Sequence, residues 1–106
     1  MIAEDDTLAG YVAVHGRPPA FEGSDGRSYS VGVFSDDDPS ADGRYGASLL
    51  FIRWSKENEP DGHLESDYLA RAEEPAAAES EVSRMTLAYI KRALDQLIAV
   101  RDRTVS

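Results

Sequence analysis

The run YGASLLFIRWS, from Tyr45 to Ser55, is apolar on both of its alternating faces. In an extended chain its large side chains point to both sides, with Leu49 and Phe51 on one and Leu50, Ile52 and Trp54 on the other. A strand with one face in water alternates apolar and polar residues, whereas a strand covered on both faces does not. The pattern therefore predicts a central strand in a sheet.

Turn signals divide residues 10–72 into strand-like runs. Asp-Gly pairs stand at positions 25–26, 42–43 and 61–62, and such pairs favour tight turns because both residues tolerate positive φ angles. The predicted strands cover residues 10–22, with an interruption at Pro18 and Pro19, then 27–35, 45–55 and 63–72. This spacing predicts a four-stranded antiparallel meander, preceded by a loose lead-in over residues 1–9.

The hydrophobic period changes from two to 3.6 after residue 72, and residues 75–102 are predicted to form one amphipathic helix that begins at Pro75. Its apolar stripe consists of Val82, Thr86, Tyr89, Ile90, Ala93, Leu94, Leu97 and Val100. The expected fold is α+β: a four-stranded antiparallel β-meander followed by one long C-terminal amphipathic helix packed on the sheet.

The dimensions of these elements predict self-association. Four strands make a sheet roughly 19 Å wide, whereas one helix with its side chains is only about 10 Å across. One helix therefore covers less than one face, although the central strand presents apolar side chains to both. We expect a homodimer, built either from the uncovered sheet face or from helices shared between subunits.

Composition is typical of a small globular protein. The 106 residues, 42% hydrophobic and 29% charged, are expected to form a single domain. The absence of cysteine excludes disulfides, thiolate metal sites and thiol nucleophiles. The acidic start of the chain does not resemble a signal peptide, and no apolar run is long enough to span a bilayer. We therefore expect a soluble, cytoplasmic protein.

The net charge of −9 limits the classes of partner. Nucleic acids and anionic membrane surfaces are bound by basic patches, and the sequence has none, so neither is expected as a partner. The acidic residues are concentrated in residues 1–77. This surface could serve a basic protein partner or mimic nucleic acid, or it could simply reflect solubility or adaptation to salt or to a high-GC genome. The excess of Arg over Lys favours the genome-level explanation.

Five residues near the centre of the chain are candidates for ligand binding. His63, Glu65 and Asp67 share one face of the predicted fourth strand, where imidazole and carboxylates could transfer protons or form a weak metal site, although a solvated strand face has the same pattern. Arg53 is a charge within the most apolar strand, so it should either face a ligand or pair across the strands with Glu65 or Asp67. Trp54 could line a cleft, or lie in the core or an interface.

The other motifs are weaker. Asp38, Ser40, Asp42 and Gly43 resemble the first half of a calcium loop, but Leu49 stands where the bidentate acid should be, so a flexible acidic turn is the better interpretation. His15, beside a glycine, fits a capping or packing role. No phosphate-binding, zinc-protease or nucleophile-elbow motif is present. No catalytic residue, metal site or cofactor is predicted.

Two classes of function therefore remain open. The first is a non-catalytic interaction or regulatory module that acts as a homodimer. The second is a small-ligand-binding protein or minor enzyme, with a cleft near Arg53, Trp54, His63 and Glu65. Convergence of those four side chains on one concave pocket would favour the second class, whereas their dispersal or their engagement in salt bridges would favour the first.

Overall fold

The sheet predicted from the sequence is present, and three helices accompany it. The computed structural model describes residues 6–105, with side chains up to residue 103. The elements are α1 (Leu8–His15), β1 (Ala20–Glu22), β2 (Ser28–Ser35), β3 (Tyr45–Trp54), β4 (Pro60–Glu65), β5 (Ala70–Ala72), α2 (Pro75–Ser83) and α3 (Leu87–Val105). The predicted α+β class with an antiparallel sheet is therefore confirmed, although the numbers of strands and helices differ from the prediction.

The sheet has the order β1-β2-β3-β4, and all of its pairs are antiparallel. The predicted fourth strand is divided: β4 pairs with the second half of β3, and β5 pairs with the first half. Between them the chain leaves the ladder but stays anchored to β3, because the Ser66 N–H donates to the Leu49 carbonyl (3.0 Å) and the Leu69 N–H donates to the Ala47 carbonyl (2.8 Å).

The prediction of a strand beginning at Gly10 is wrong, since residues 8–15 form helix α1. Thr7 caps its start by accepting the Gly10 N–H (3.0 Å), and Gly16 ends it with a φ of 70°. The alternating Val and Ala residues suggested a strand, but the Thr cap and the terminal Gly favour a helix. The predicted lead-in over residues 1–9 lies partly outside the described residues, and its last part begins this helix.

The single helix predicted over residues 75–102 is two helices, separated at residues 84–86. Thr86 caps α3, accepting the Tyr89 N–H on its hydroxyl (3.1 Å). The N-terminal segment crosses this break: Thr7 forms an isolated bridge with Thr86, and the Leu8 N–H donates to the Met85 carbonyl (3.0 Å). A Thr before an apolar period is a helix-start signal, which the continuous stripe concealed.

Two of the three Asp-Gly pairs lie in turns, where Gly26 and Gly43 adopt φ angles of 77° and 81°. The third pair, at positions 61–62, lies within β4. The turn between β3 and β4 instead includes Asn58, whose φ is 65°. Asparagine tolerates the left-handed conformation, so it replaces glycine in this turn.

The core lies between one face of the sheet and the last two helices. α2 packs across β2, β3 and β5, while α3 packs beside β4. The buried apolar residues are Leu8, Tyr29, Val31, Ala47, Leu49, Phe51, Ala78, Val82, Ile90, Leu94 and Ile98. As predicted, Leu49 and Phe51 share a face, and that face is covered by helices. Within residues 6–105 no helix is long and apolar enough to cross a membrane.

Candidate functional site

The opposite face of the sheet has no described helix packed on it. Strand pairing places the side chains of β2, β3 and β4 on this face at alternate positions, in register across the strands. We call it the open face, and its main residues are Phe34, Leu50, Ile52, Trp54, His63 and Glu65. Phe34 is 47% exposed, and the three apolar residues of β3 are half-buried by their neighbours on the sheet.

The open face is largely apolar at its centre and polar toward its edges. Trp54 donates its indole N–H to the Ser30 hydroxyl (2.9 Å), which satisfies its polar atom and fixes the ring against the sheet. Glu65 accepts a hydrogen bond from the buried Ser48 hydroxyl (3.2 Å). The cross-strand neighbours of Trp54, Ile52 and Leu50 on β2 are Ser28, Ser30 and Gly32, so the apolar side chains of the face come from β3 and from Phe34.

His63 and Glu65 border a shallow depression on the open face, with a cavity volume of about 400 Å³. Its floor is formed by Phe34, Leu50 and Ile52. The depression is open and mostly apolar, with one imidazole and one carboxylate at its rim. It can accept an apolar group, but the two polar side chains do not converge on a common point with a third functional group.

Arg53 lies on the opposite, helix-covered face. Its Nε donates to Asp61 Oδ1 (2.8 Å) and its Nη2 to the Asp61 carbonyl (2.8 Å). The predicted pairing of Arg53 with Glu65 or Asp67 is therefore wrong in its partner, because the adjacent strand residue on this face is Gly62 and the carboxylate beside it is Asp61. The hydrogen bond from Arg53 lowers the pKa of Asp61, and Asp61 in turn raises the pKa of Arg53.

Asp67 lies in the break between β4 and β5 and is exposed. The break displaces it from the ladder, so the predicted common face of His63, Glu65 and Asp67 holds only for the first two. Of the five candidate residues, the structure brings Trp54, His63 and Glu65 to the open face. Arg53 projects from the other face, although it lines a small cavity of about 160 Å³ together with His63, and the strand break displaces Asp67.

The most connected polar cluster joins three residues that the sequence analysis did not single out together. Tyr29, fully buried, donates its hydroxyl to Asp25 Oδ2 (2.7 Å). Arg101 of α3 donates to the same Asp25 oxygen (3.0 Å) and to the Tyr29 hydroxyl (3.2 Å). The cluster ties the C-terminal part of α3 to the β1–β2 turn. The sequence signal for this cluster is Tyr29 on the apolar face of β2, because a buried tyrosine hydroxyl needs a hydrogen-bond partner.

Burial and hydrogen bonding act on the pKa values of this cluster. Burial raises the pKa of Asp25, but hydrogen bonds from Tyr29, the Arg27 N–H and Arg101 together outweigh it and hold that pKa below its ordinary value. Burial, together with the bond to Asp25, raises the pKa of Tyr29. Every group therefore keeps its usual charge at neutral pH. The cluster connects α3 to the β1–β2 turn, and its groups are not arranged for proton transfer.

The remaining candidate motifs have structural roles. Asp42 accepts the Arg44 N–H (3.0 Å) and pairs with Arg71 (2.9 Å). His15 is exposed at the end of α1, where its ring contacts Tyr11 at a centroid distance of 4.2 Å. Among residues 6–105 there is no group of three or more His, Cys, Asp or Glu residues arranged to hold a metal ion.

Comparison of this chain with protein-family models, with curated proteins and with solved structures gave no match.

Proposed function

We propose that this protein is a non-catalytic interaction module that forms a homodimer through its open face. The observation that carries the proposal is the apolar centre of this face, made by Phe34, Leu50, Ile52 and Trp54 with no described element packed over it. Antiparallel sheets with one solvated face usually present polar residues there. Large contiguous apolar patches on a protein surface are typical of binding sites.

The area of the face limits how a dimer can form. The five strands have 3, 8, 10, 6 and 3 residues, and each residue covers roughly 3.3 Å by 4.8 Å, so the flat area is about 480 Å². A standard stable interface buries about 800 Å² on each partner, and protruding side chains make the accessible area larger than the flat area. A second copy therefore fits if it covers nearly the whole face, as in a two-sheet sandwich with a twofold axis.

A rival apolar surface lies on α3, where Tyr89 and Val100 are 39% and 50% exposed. It corresponds to the alternative in which helices are shared between subunits. Polar residues interrupt it, since Gln96 lies between its apolar residues and Asp67 borders it. On the open face Leu50, Ile52 and Trp54 follow one another on one side of β3, so we assign the dimer contact to it.

The separation of the candidate ligand-binding residues supports an interaction module over an enzyme. Arg53 is engaged with Asp61 on the helix-covered face and shares a small cavity with His63, whereas Trp54 lies on the open face and does not line that cavity. No cleft contains all of them. The alternative of a small-ligand-binding protein retains one supporting observation, the depression beside His63 and Glu65.

Size-exclusion chromatography with light scattering tests the proposal directly. At about 50 μM protein the mass should be twice the 11.6 kDa of one chain, and dilution should shift it toward one chain. A mass of one chain across the whole concentration range would refute the homodimer. Titration of that monomer with small apolar carboxylates and amines, followed through Trp54 fluorescence, would then address the ligand-binding alternative.

A further inference from the structure

The outer edge of β2 is only partly paired. β1 has three residues, and its register extends from Ser28 to Ser30 of β2, whereas β3 pairs with all eight residues on the other side. Pairing with β1 cannot continue beyond this point, because the preceding residues are Pro18 and Pro19, and proline has no N–H to donate. The second half of β2 is thus an edge strand.

The directions of the main-chain groups follow from the flanking hydrogen bonds. The Asp36 N–H donates to the Gly46 carbonyl on β3, so the N–H and C=O groups of even-numbered residues of β2 point toward β3. The Arg27 carbonyl accepts a hydrogen bond from the Gly23 N–H on the other side, so the N–H and C=O groups of odd-numbered residues point away from β3. Val33 and Ser35 therefore present their N–H and C=O groups at the edge. Neither makes a main-chain hydrogen bond on that side to any residue in the described range 6–105.

An apolar groove runs beside this edge. It has a cavity volume of about 410 Å³ and lies between α1 and β2. Leu8, Val12 and Ala13 of α1 form one wall, and Val31 and Val33 form the other. Val12 is 41% exposed because nothing in the described chain fills the groove. Side chains that point from an added strand toward α1 would be small and apolar.

The edge ends in a run of negative charge. Asp36, Asp37 and Asp38 follow β2 directly. Asp36 accepts a hydrogen bond from the Tyr68 hydroxyl, while Asp37 and Asp38 are exposed. A strand added antiparallel to β2 would begin beside these carboxylates, so its first residues should be basic.

We propose that the β2 edge from Val31 to Ser35 binds an extended peptide segment of a basic partner protein by strand addition. Main-chain hydrogen bonds to Val33 and Ser35 hold the peptide, small apolar side chains enter the groove beside α1, and Lys or Arg residues at its N-terminal end pair with Asp37 and Asp38. This mode of recognition obtains affinity from the backbone and selectivity from alternate side chains. It uses a surface separate from the centre of the open face.

A short synthetic peptide tests the role of the main chain. The probe is an acetylated, amidated KKVAVAV peptide with a fluorescent label, titrated and followed by anisotropy. N-methylation of alternate residues removes either the donors that face β2 or those that face away, with the same composition. One of the two methylated peptides should lose about tenfold or more in affinity, and the other should bind as the parent does. Equal binding of the two, or no binding of the parent at about 1 mM, would overturn the proposal.

Paired variants of the protein test the edge itself. Val33→Pro and Val33→Ala both remove the Val side chain, but only the first removes the outward N–H, which no strand of the sheet uses. Peptide affinity should fall about fivefold to tenfold in Val33→Pro relative to Val33→Ala, provided that both have the wild-type circular dichroism spectrum. If the Val33→Pro variant is distorted, hydrogen exchange of the Val33 amide is measured in the wild-type protein instead. Exchange should be fast in the free protein and slow with peptide, and slow exchange in the free protein would overturn the assignment of a free edge.

Charge variants test the basic end of the peptide. Neutralising the pair with Asp37→Asn and Asp38→Asn should weaken the Lys-containing probe about threefold to tenfold at low salt and leave a probe without Lys unchanged. An equal effect on both probes would overturn the assignment of a basic partner. Failure of the homodimer proposal would not alter these results, since dimerisation is measured separately by light scattering.

Discussion

Substitution of Phe34 by Lys is the sharpest test of the open face as a dimer contact. Phe34 is 47% exposed and lies on β2, where a lysine can extend into water without disturbing the core. The change lowers the magnitude of the net charge from the −9 of the wild type. General repulsion between subunits therefore decreases, so any loss of dimer must come from the face itself.

The structure provides the magnitude. An aromatic side chain has roughly 200 Å² of surface, so the exposed 47% of Phe34 is about 95 Å² available for burial. At about 25 cal/mol per Å², that burial contributes about 2.4 kcal/mol for each copy. A symmetric dimer buries Phe34 of both copies, but burial is rarely complete. We therefore take about 2.5 kcal/mol as the total loss of dimerisation free energy. The dimer dissociation constant should rise about 50-fold or more.

Val100→Lys is the matched control. Val100 is 50% exposed, the charge change is the same, and the residue belongs to the rival apolar surface on α3. Sedimentation equilibrium or light scattering over a concentration series gives the dissociation constant of each variant. Weakening by Phe34→Lys with little effect of Val100→Lys supports the open face. The reverse result would refute it and assign the contact to α3, and no effect of either would refute both surfaces.

Three further predictions concern the stability of the fold, measured by urea unfolding at a fixed protein concentration. Asp25→Asn should lower the free energy of unfolding by about 1–3 kcal/mol at pH 7. The pKa of Asp25 in the folded state lies below its unfolded value of about 3.9, so this loss of stability should shrink as the pH falls below about 4. A loss that does not change with pH would contradict the pairing of Asp25 with Arg101. Thr86→Ala should cost about 1 kcal/mol through loss of the α3 cap, whereas Thr86→Ser should cost much less; equal losses would argue against capping. Gly46→Ala should cost about 1–3 kcal/mol because its Cβ would lie 2.6 Å from the Tyr68 ring, and most of that cost should vanish in a Tyr68→Ala background; additive effects would exclude this contact.

The sequence was most informative where one local pattern dominated. The double-sided apolar run predicted β3 and the division of its side chains between two faces, and both are present in the structure. β2 and the three residues of β1 also lie where the alternation placed them. In these segments β-branched and aromatic residues, alternation and nearby turn residues all favour the same structure, so local and tertiary preferences agree.

The two errors in the helices have a common physical cause, since each involves a terminus where capping overrides periodicity. Alternating Val residues favoured a strand in α1, but Thr7 and Gly16 stabilise both ends of a helix there. A continuous apolar stripe concealed the end of α2, although Thr86 starts a new helix. Periodicity reports which residues face the core, but hydrogen bonds at element ends determine where an element starts and stops.

The candidate site was less predictable because it depends on register and on contacts distant in sequence. His63, Glu65 and Trp54 share a face as a consequence of strand pairing, while Asp67 is excluded by a break that alternation alone does not reveal. One partner of Arg101 is Asp25, 76 positions away in the chain. Pairs so distant in sequence leave no local pattern, so composition and spacing could not have revealed the cluster of Asp25, Tyr29 and Arg101.

The two proposed surfaces share strand β2 but use different groups of it. The Phe34 side chain projects onto the open face, whereas the main chains of Val33 and Ser35 face the outer edge. A strand added at that edge would continue the sheet by about 4.8 Å in its own plane and would leave the open face uncovered. Dimer and peptide can therefore be bound together, and the added strand would enlarge the surface that a second copy contacts. Any coupling between them should then be positive and, by thermodynamic reciprocity, equal in both directions.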